Sequence, residues 1–150
     1  MMFDKKRKEE ADRLETEGDL IWAWNILSDE WKSHTDIEYY DEEMAIKILQ
    51  WINALFKRNP EMVEQRIETI LMRMTSLHYW GGHNEALDAV EHAINIARKS
   101  KRFDLELKVL EEHGSIQSQR YGGLEKMPNY ENYIERFNFL MKEIAIDKSK

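Results

Sequence analysis

No cysteine occurs in the chain, which excludes a disulfide framework and a thiolate metal site. No Asn-x-Ser/Thr sequon is present either. Apolar runs stay well short of the ~20 residues that a membrane-spanning helix needs. Polar–apolar alternation of useful length is missing, so strands are not expected. Prolines number two and glycines six in 150 residues, leaving long stretches without a breaker. Met1–Arg13 is charged and lacks the apolar segment of a signal peptide, and a cytoplasmic protein without membrane association is the simplest reading.

Catalytic signatures are equally scarce. There is no Gly-rich phosphate loop, no Gly-x-Ser-x-Gly elbow and no His-Glu-x-x-His zinc helix. No histidine has a glutamate three residues before it, as a di-iron bundle requires. Glu30/His34 and Asp88/His92 are i,i+4 pairs that can bond to each other or offer two metal ligands, but a stable site needs three or four. His78 and His83 flank Tyr79-Trp80-Gly81-Gly82, an aromatic cluster that reads as a binding corner or as turn packing. The expectation is a non-enzymatic protein with no cofactor and no metal.

What is present is core and charge. Hydrophobic residues make up 42% and charged residues 34%, which fits one folded domain over 1–150 burying roughly 68–70% of its unfolded surface. The net charge of −7 is uneven. Asp29, Glu30, Asp36, Glu38, Asp41, Glu42 and Glu43 face only Lys32 within residues 29–43. Basic clusters occur at Lys5-Lys6-Arg7-Lys8 and at Arg98, Lys99, Lys101 and Arg102. The overall negative field argues against direct nucleic-acid binding.

Apolar residues recur at three- and four-residue intervals almost throughout, predicting an all-α chain of about seven helices. The first covers about 3–17, with Phe3, the stem of Arg7, Ala11 and Leu14 on one face. The second, about 19–33, starts at Asp19 and carries Leu20, Trp24, Leu27 and Trp31. Thr35-Asp36-Ile37-Glu38 has the form of a capping box, so a third helix is expected from there to about Arg58, with Ile37, Tyr40, Met44, Ile48, Trp51, Ile52 and Leu55 inward. Asn59-Pro60-Glu61 supplies a cap, a first-turn proline and an acid for a fourth helix carrying Val63, Ile67, Ile70, Leu71, Met74 and Leu77. A fifth, about 83–99, turns Ala86, Leu87, Val90, Ala93, Ile94 and Ala97 inward, with Arg98 and Lys99 complementing the dipole at its end. The sixth, about 102–120, carries Phe103, Leu107 and Leu110 before thinning into Gly114 and Gln117-Ser118-Gln119-Arg120. A loop at 121–127 precedes the seventh, about 130–146, with Tyr130, Ile134, Phe137, Met141 and Ile144.

Gly18 and Gly81-Gly82 each end one helix and start another, with an alanine on the fifth residue after Gly18 and after Gly81 (Ala23, Ala86). The second turn, followed by Glu85-Ala86-Leu87-Asp88-Ala89-Val90-Glu91-His92-Ala93, resembles the second helix of a tetratricopeptide repeat (TPR). Small residues stand at Ala86 and Ala93 with bulky Val90 between them. The likeness is centred on 68–97. It departs at Ile70, where the family has an aromatic residue, at Met74, where it has a small one, and at Arg98, where it has proline. Expected starts of alternate helices (the second, fourth and sixth, and the third, fifth and seventh) recur every 41–47 residues or so, a longer period than the family's and typical of longer helical repeats. The resemblance implies antiparallel hairpins stacked as a short right-handed solenoid; a compact helical bundle is the alternative.

Such a solenoid implies an adaptor or scaffold binding a peptide or partner helix on the face of the second, fourth and sixth helices. Candidate contacts there are Arg66, Arg73, His78, His113, Gln117, Arg120 and Tyr121, with Trp22 also off its helix stripe. The other reading is a small acidic inhibitor, of immunity or anti-defence type. It would block a basic nucleic-acid-binding surface through Asp36, Glu38, Tyr39, Asp41, Glu42 and Glu43. Self-association through exposed repeat ends is a further partner reading.

Overall fold

The computed structural model describes residues 2–36, 38, 40–79 and 82–149, with side chains for all of these but 2–4, 78 and 79. Ile37, Tyr39, Trp80 and Gly81, and the side chains of Phe3 and His78, therefore lie outside the described residues. Among those described, the fold is all-α, with seven α-helices, one 3-10 turn and no strand. In chain order these are α1 (Met2–Thr16), α2 (Leu20–His34), α3 (Glu42–Arg58), α4 (Val63–Tyr79), α5 (His83–Lys99), α6 (Phe103–Tyr121), the 3-10 turn (Leu124–Lys126) and α7 (Tyr130–Lys148). Two compact units divide the chain, residues 1–65 and 66–150.

In the first unit α2 packs against both α1 and α3. Two neighbours demand a broad apolar face, and α2 accordingly buries Ala23, Ile26, Leu27 and Trp31, while Leu20 and Trp24 of the expected stripe are only half-buried. α1 has little apolar surface beyond buried Ala11. Charge supplements it: Arg7 Nε donates to Glu30 Oε1 at 3.2 Å, and Arg58 grips Glu15 through Nε and Nη2 at 2.9 and 2.7 Å.

Two helix starts differ from expectation. Thr35 does not open α3; it closes α2, its Oγ1 donating to Trp31 O at 3.0 Å. Asp36 Oδ1 accepts from Glu38 N at 3.0 Å in a local turn, and Asp41 caps α3 by accepting from Met44 N at 3.1 Å. The sequence Thr-x-x-Glu is the same either way, but here the threonine hydroxyl finds a carbonyl behind it instead of an N–H ahead. Tyr40 consequently stands outside α3 and is exposed. Asn59 likewise serves the helix before it, its Nδ2 donating to Leu55 O at 2.9 Å, and α4 begins only at Val63.

In the second unit α6 packs against α5 and α7. Its buried face is Leu105, Glu106, Val109, Leu110, Gly114 and Gln117; Leu110 belongs to the expected stripe, and Phe103 and Leu107 of that stripe pack half-buried against its cluster. Leu110, Met127, Tyr133 and Leu140 form a core cluster. α7 buries Tyr133 and Leu140, and Met141 of its expected face is exposed. Leu87 of α5 is also exposed. α4 buries Ile67, Leu71 and Met74 as its spacing predicts, and its Glu68 pairs with Lys108 of α6.

Helix ends share one chemistry. Asp19 N donates to Leu14 O at 2.8 Å, Arg102 N to Ala97 O at 2.9 Å and Gly123 N to Ser118 O at 2.9 Å. Each is the six-to-one bond of a Schellman cap, which needs a left-handed residue just before its donor. Gly18 and Gly122 supply it with φ of 87° and 74°, but between α5 and α6 the residue is Lys101, at φ 54°.

A side chain at that φ costs roughly 1–2 kcal/mol, against ~0.5–1 kcal/mol of extra chain entropy lost by glycine. Lys101→Gly should therefore raise stability by about 0.5–1 kcal/mol, read from the denaturant midpoint. Gly114 behaves in the opposite way. A Cβ there would lie 2.2 Å from Tyr133 Oη and 2.9 Å from its Cζ. Gly114→Ala should lose about 1–3 kcal/mol, overriding the ~1 kcal/mol that alanine ordinarily adds to a helix. In a double-mutant cycle, Tyr133→Phe should reduce that loss.

Candidate functional site

The close approach at Gly114 brings Tyr133 Oη to Leu110 O, 2.9 Å away, and so fixes α7 against α6. Beside this contact, entirely within the second unit, a cavity of about 490 Å³ opens. Its walls follow helical spacing. α5 contributes Leu87, Val90, Glu91, Ile94 and Arg98; α6 contributes Leu110, His113, Gln117 and Tyr121. Met127 and Pro128 of the connecting loop close the apolar part, while Asn129, Asn132, Tyr133 and Arg136 line the side of α7. The volume lies in the range of ligand pockets, which are mostly apolar with a few placed polar groups.

Behind the wall is Glu106, with no exposed surface. Arg136 meets its carboxylate through Nε at 2.7 Å and Nη2 at 2.8 Å. Arg98 adds Nε at 3.1 Å. One buried anion thereby ties α5, α6 and α7 together. Burial pushes the Glu106 pKa up, but the hydrogen bonds and charges of Arg136 and Arg98 outweigh that and hold it below the ordinary carboxylate value. Arg98 and Arg136 both line the cavity, and two cations share this one buried carboxylate.

Two polar groups of α6 line the cavity. Gln117 is only 5% exposed, and its Oε1 has no hydrogen-bond partner. His113 is half-buried with its ring 6.3 Å from that of Tyr133, and burial lowers its pKa, favouring the neutral imidazole. The cavity thus offers hydrogen bonding, positive charge and an apolar wall.

His113, Gln117 and Tyr121 of the expected contacts line this cavity. Arg120 is exposed beside it, its guanidinium 5.3 Å from the Tyr121 ring centre. Arg66 and Arg73 of α4 are not among the lining residues, and the His78 side chain lies outside the described residues. Arg98, Asn129, Asn132 and Arg136 were not singled out from sequence as contacts. Arg98 reads as an ordinary dipole partner at a helix end, and nothing local links Arg136 to Glu106. A signal was available in α7, where Tyr133 and Leu140 keep a heptad interval flanked by Asn129, Asn132 and Arg136.

The acidic segment is built differently. Asp36, Glu38, Asp41, Glu42 and Glu43 are all exposed. Asp36 and Asp41 bond to backbone N–H groups, and Glu42 and Glu43 lie in the first turn of α3, where negative charge complements the helix dipole. Tyr39 lies outside the described residues. Glu30 Oε2 and His34 Nε2 are 3.8 Å apart. No group of three or more His, Asp or Glu that could hold a metal ion occurs among the described residues, and no described helix is long and apolar enough to cross a membrane.

Glu106→Gln should cost about 1.5–3 kcal/mol at neutral pH, the worth of hydrogen bonds to a charged group. The lowered pKa fixes the sign with pH. Its contribution is complete above the reference value of 4.5 and is lost as pH falls through the lower folded value. Denaturation curves from pH 7 to pH 3 should show the two proteins converging toward acid.

No protein-family model matches the chain, and neither a curated protein nor a solved structure is found to match it.

Proposed function

We propose that the chain is a non-enzymatic interaction module, an adaptor of TPR-like helical hairpins, that holds a peptide segment of a partner protein in the cavity lined by α5, α6 and α7. The observation that carries this reading is Gln117. A buried polar group without a hydrogen bond costs about 1–3 kcal/mol, and at a cavity wall a ligand can supply the missing partner. A carboxamide both donates and accepts, matching the N–H and C=O of a peptide bond. Neutral His113 can do the same, and the Arg120–Tyr121 stack provides a flat rim of the kind that anchors interfaces.

The acidic-inhibitor reading has less to stand on, because Asp36 and Asp41 already serve a turn and a cap. Its support is the exposure of the acids alone.

Gln117→Leu tests the main reading by giving stability and binding opposite signs. Leucine removes the unpartnered amide at nearly constant volume, so the unfolding midpoint should rise by the equivalent of about 1 kcal/mol. Recovery of interacting proteins from the native host should fall at least tenfold, while Arg73→Ala at an exposed position of α4 leaves recovery unchanged. A Gln117→Leu protein that is less stable, or that recovers the same partners undiminished, would count against the cavity as the binding site.

A further inference from the structure

The charged groups of the cavity are arranged along α5. Glu91, Ile94 and Arg98 all line it, and seven residues of helix separate the two charges by about 10 Å along the axis. Arg98 and Arg136 both turn Nε and Nη2 toward Glu106. Neither Nη1 makes a hydrogen bond among the described residues, so each guanidinium keeps a donor edge available to a second acceptor. Adding one carboxylate there would balance two cations with two anions. At the other end Glu91 repels an acid, so the cavity has a direction.

Spacing gives the neighbour of that acid. Ile94 lies one helical turn from Arg98, about 6 Å along α5. In an extended chain, alternate side chains point the same way about 6.6 Å apart. We propose that the cavity selects an extended segment carrying Asp or Glu two residues from a large apolar residue, the acid between Arg98 and Arg136 and the apolar side chain on Ile94. Gln117 then meets the intervening peptide bond. This inference rests on the peptide-binding reading and adds the class of peptide.

The test is selection by the full chain from a phage-displayed library of random heptapeptides flanked by glycine on both sides. A second library displays random free C-termini. The internal library should yield sequences with Asp or Glu two positions from Leu, Ile, Met or Phe. For a synthetic peptide of the selected sequence, Asp→Asn should weaken binding at least tenfold. Arg98→Gln should weaken the acidic peptide by a similar factor and leave the Asn peptide unchanged. Arg98→Lys, which keeps the charge without the planar fork, should fall between. Arg98 is half exposed and Arg136 retains both bonds to Glu106, so folding persists, checked by thermal unfolding. Selected peptides without an acid, or acidic peptides indifferent to Arg98→Gln, would overturn the inference alone. Enrichment confined to free C-termini would place a chain-terminal carboxylate there and overturn the internal-segment assignment. No enrichment from either library would sink the peptide reading itself.

Discussion

The second unit depends on one buried carboxylate. Glu106 is on α6, Arg98 on α5 and Arg136 on α7, and no other described ion pair joins three helices. A carboxylate with no exposed surface is strongly disfavoured unless its oxygens are fully occupied. Glu106 therefore imposes a condition on both neighbours: α5 must end, and α7 must begin its second turn, where their arginines reach it. Hydrophobic contact is tolerant of sliding by a residue, whereas a bidentate fork is not. The apolar cluster around Leu110 and Leu140 supplies area, and the clamp supplies register. The cavity wall follows, since the same two arginines stand in it.

Much of the architecture was legible because helix periodicity and glycine punctuation are local signals. The helix count, the apolar face of α4 and the glycine turn at Gly18 all follow from residues a few positions apart. Errors fell where one local pattern serves two structures. Thr35-x-x-Glu38 satisfies the rule for a helix start, yet the hydroxyl closes α2. Asn59 before Pro60 reads as a cap for the helix ahead and bonds the helix behind. In α6, a helix with neighbours on both sides has no single stripe, so Phe103, Leu107 and Leu110 mark only part of a wider buried face. Lys101 carries no signal at all, since its left-handed conformation is imposed by the short connection between α5 and α6.

The candidate site was half legible for the same reason. Gln117, His113 and Tyr121 stand out because a helix end that should be apolar is polar without being charged. Arg98 and Arg136 do not, because charged residues on helices are usually solvated. Their significance is tertiary: it arises from a glutamate thirty residues from one of them in sequence. Gly114 belongs with them. It reads as a weak point of α6, and in the fold it is the position that admits the Tyr133 hydroxyl.

Stability and recognition make different demands on these groups, and the difference bears on function. Glu106 and Arg136 satisfy one another, and the Tyr133 hydroxyl has Leu110 O; both features are explained by folding alone. Gln117 is not. A leucine of similar size would fill the space without an orphaned oxygen, so selection for stability does not account for the amide. The surplus positive charge at Arg98 and Arg136 is similar in kind, because one guanidinium with two hydrogen bonds already satisfies much of the Glu106 carboxylate. An unpartnered amide and a second arginine on the walls of one cavity, about a helical turn from an apolar patch, leave the folded chain with hydrogen-bonding and charge capacity that it does not itself use. Binding is the physical role that would use both.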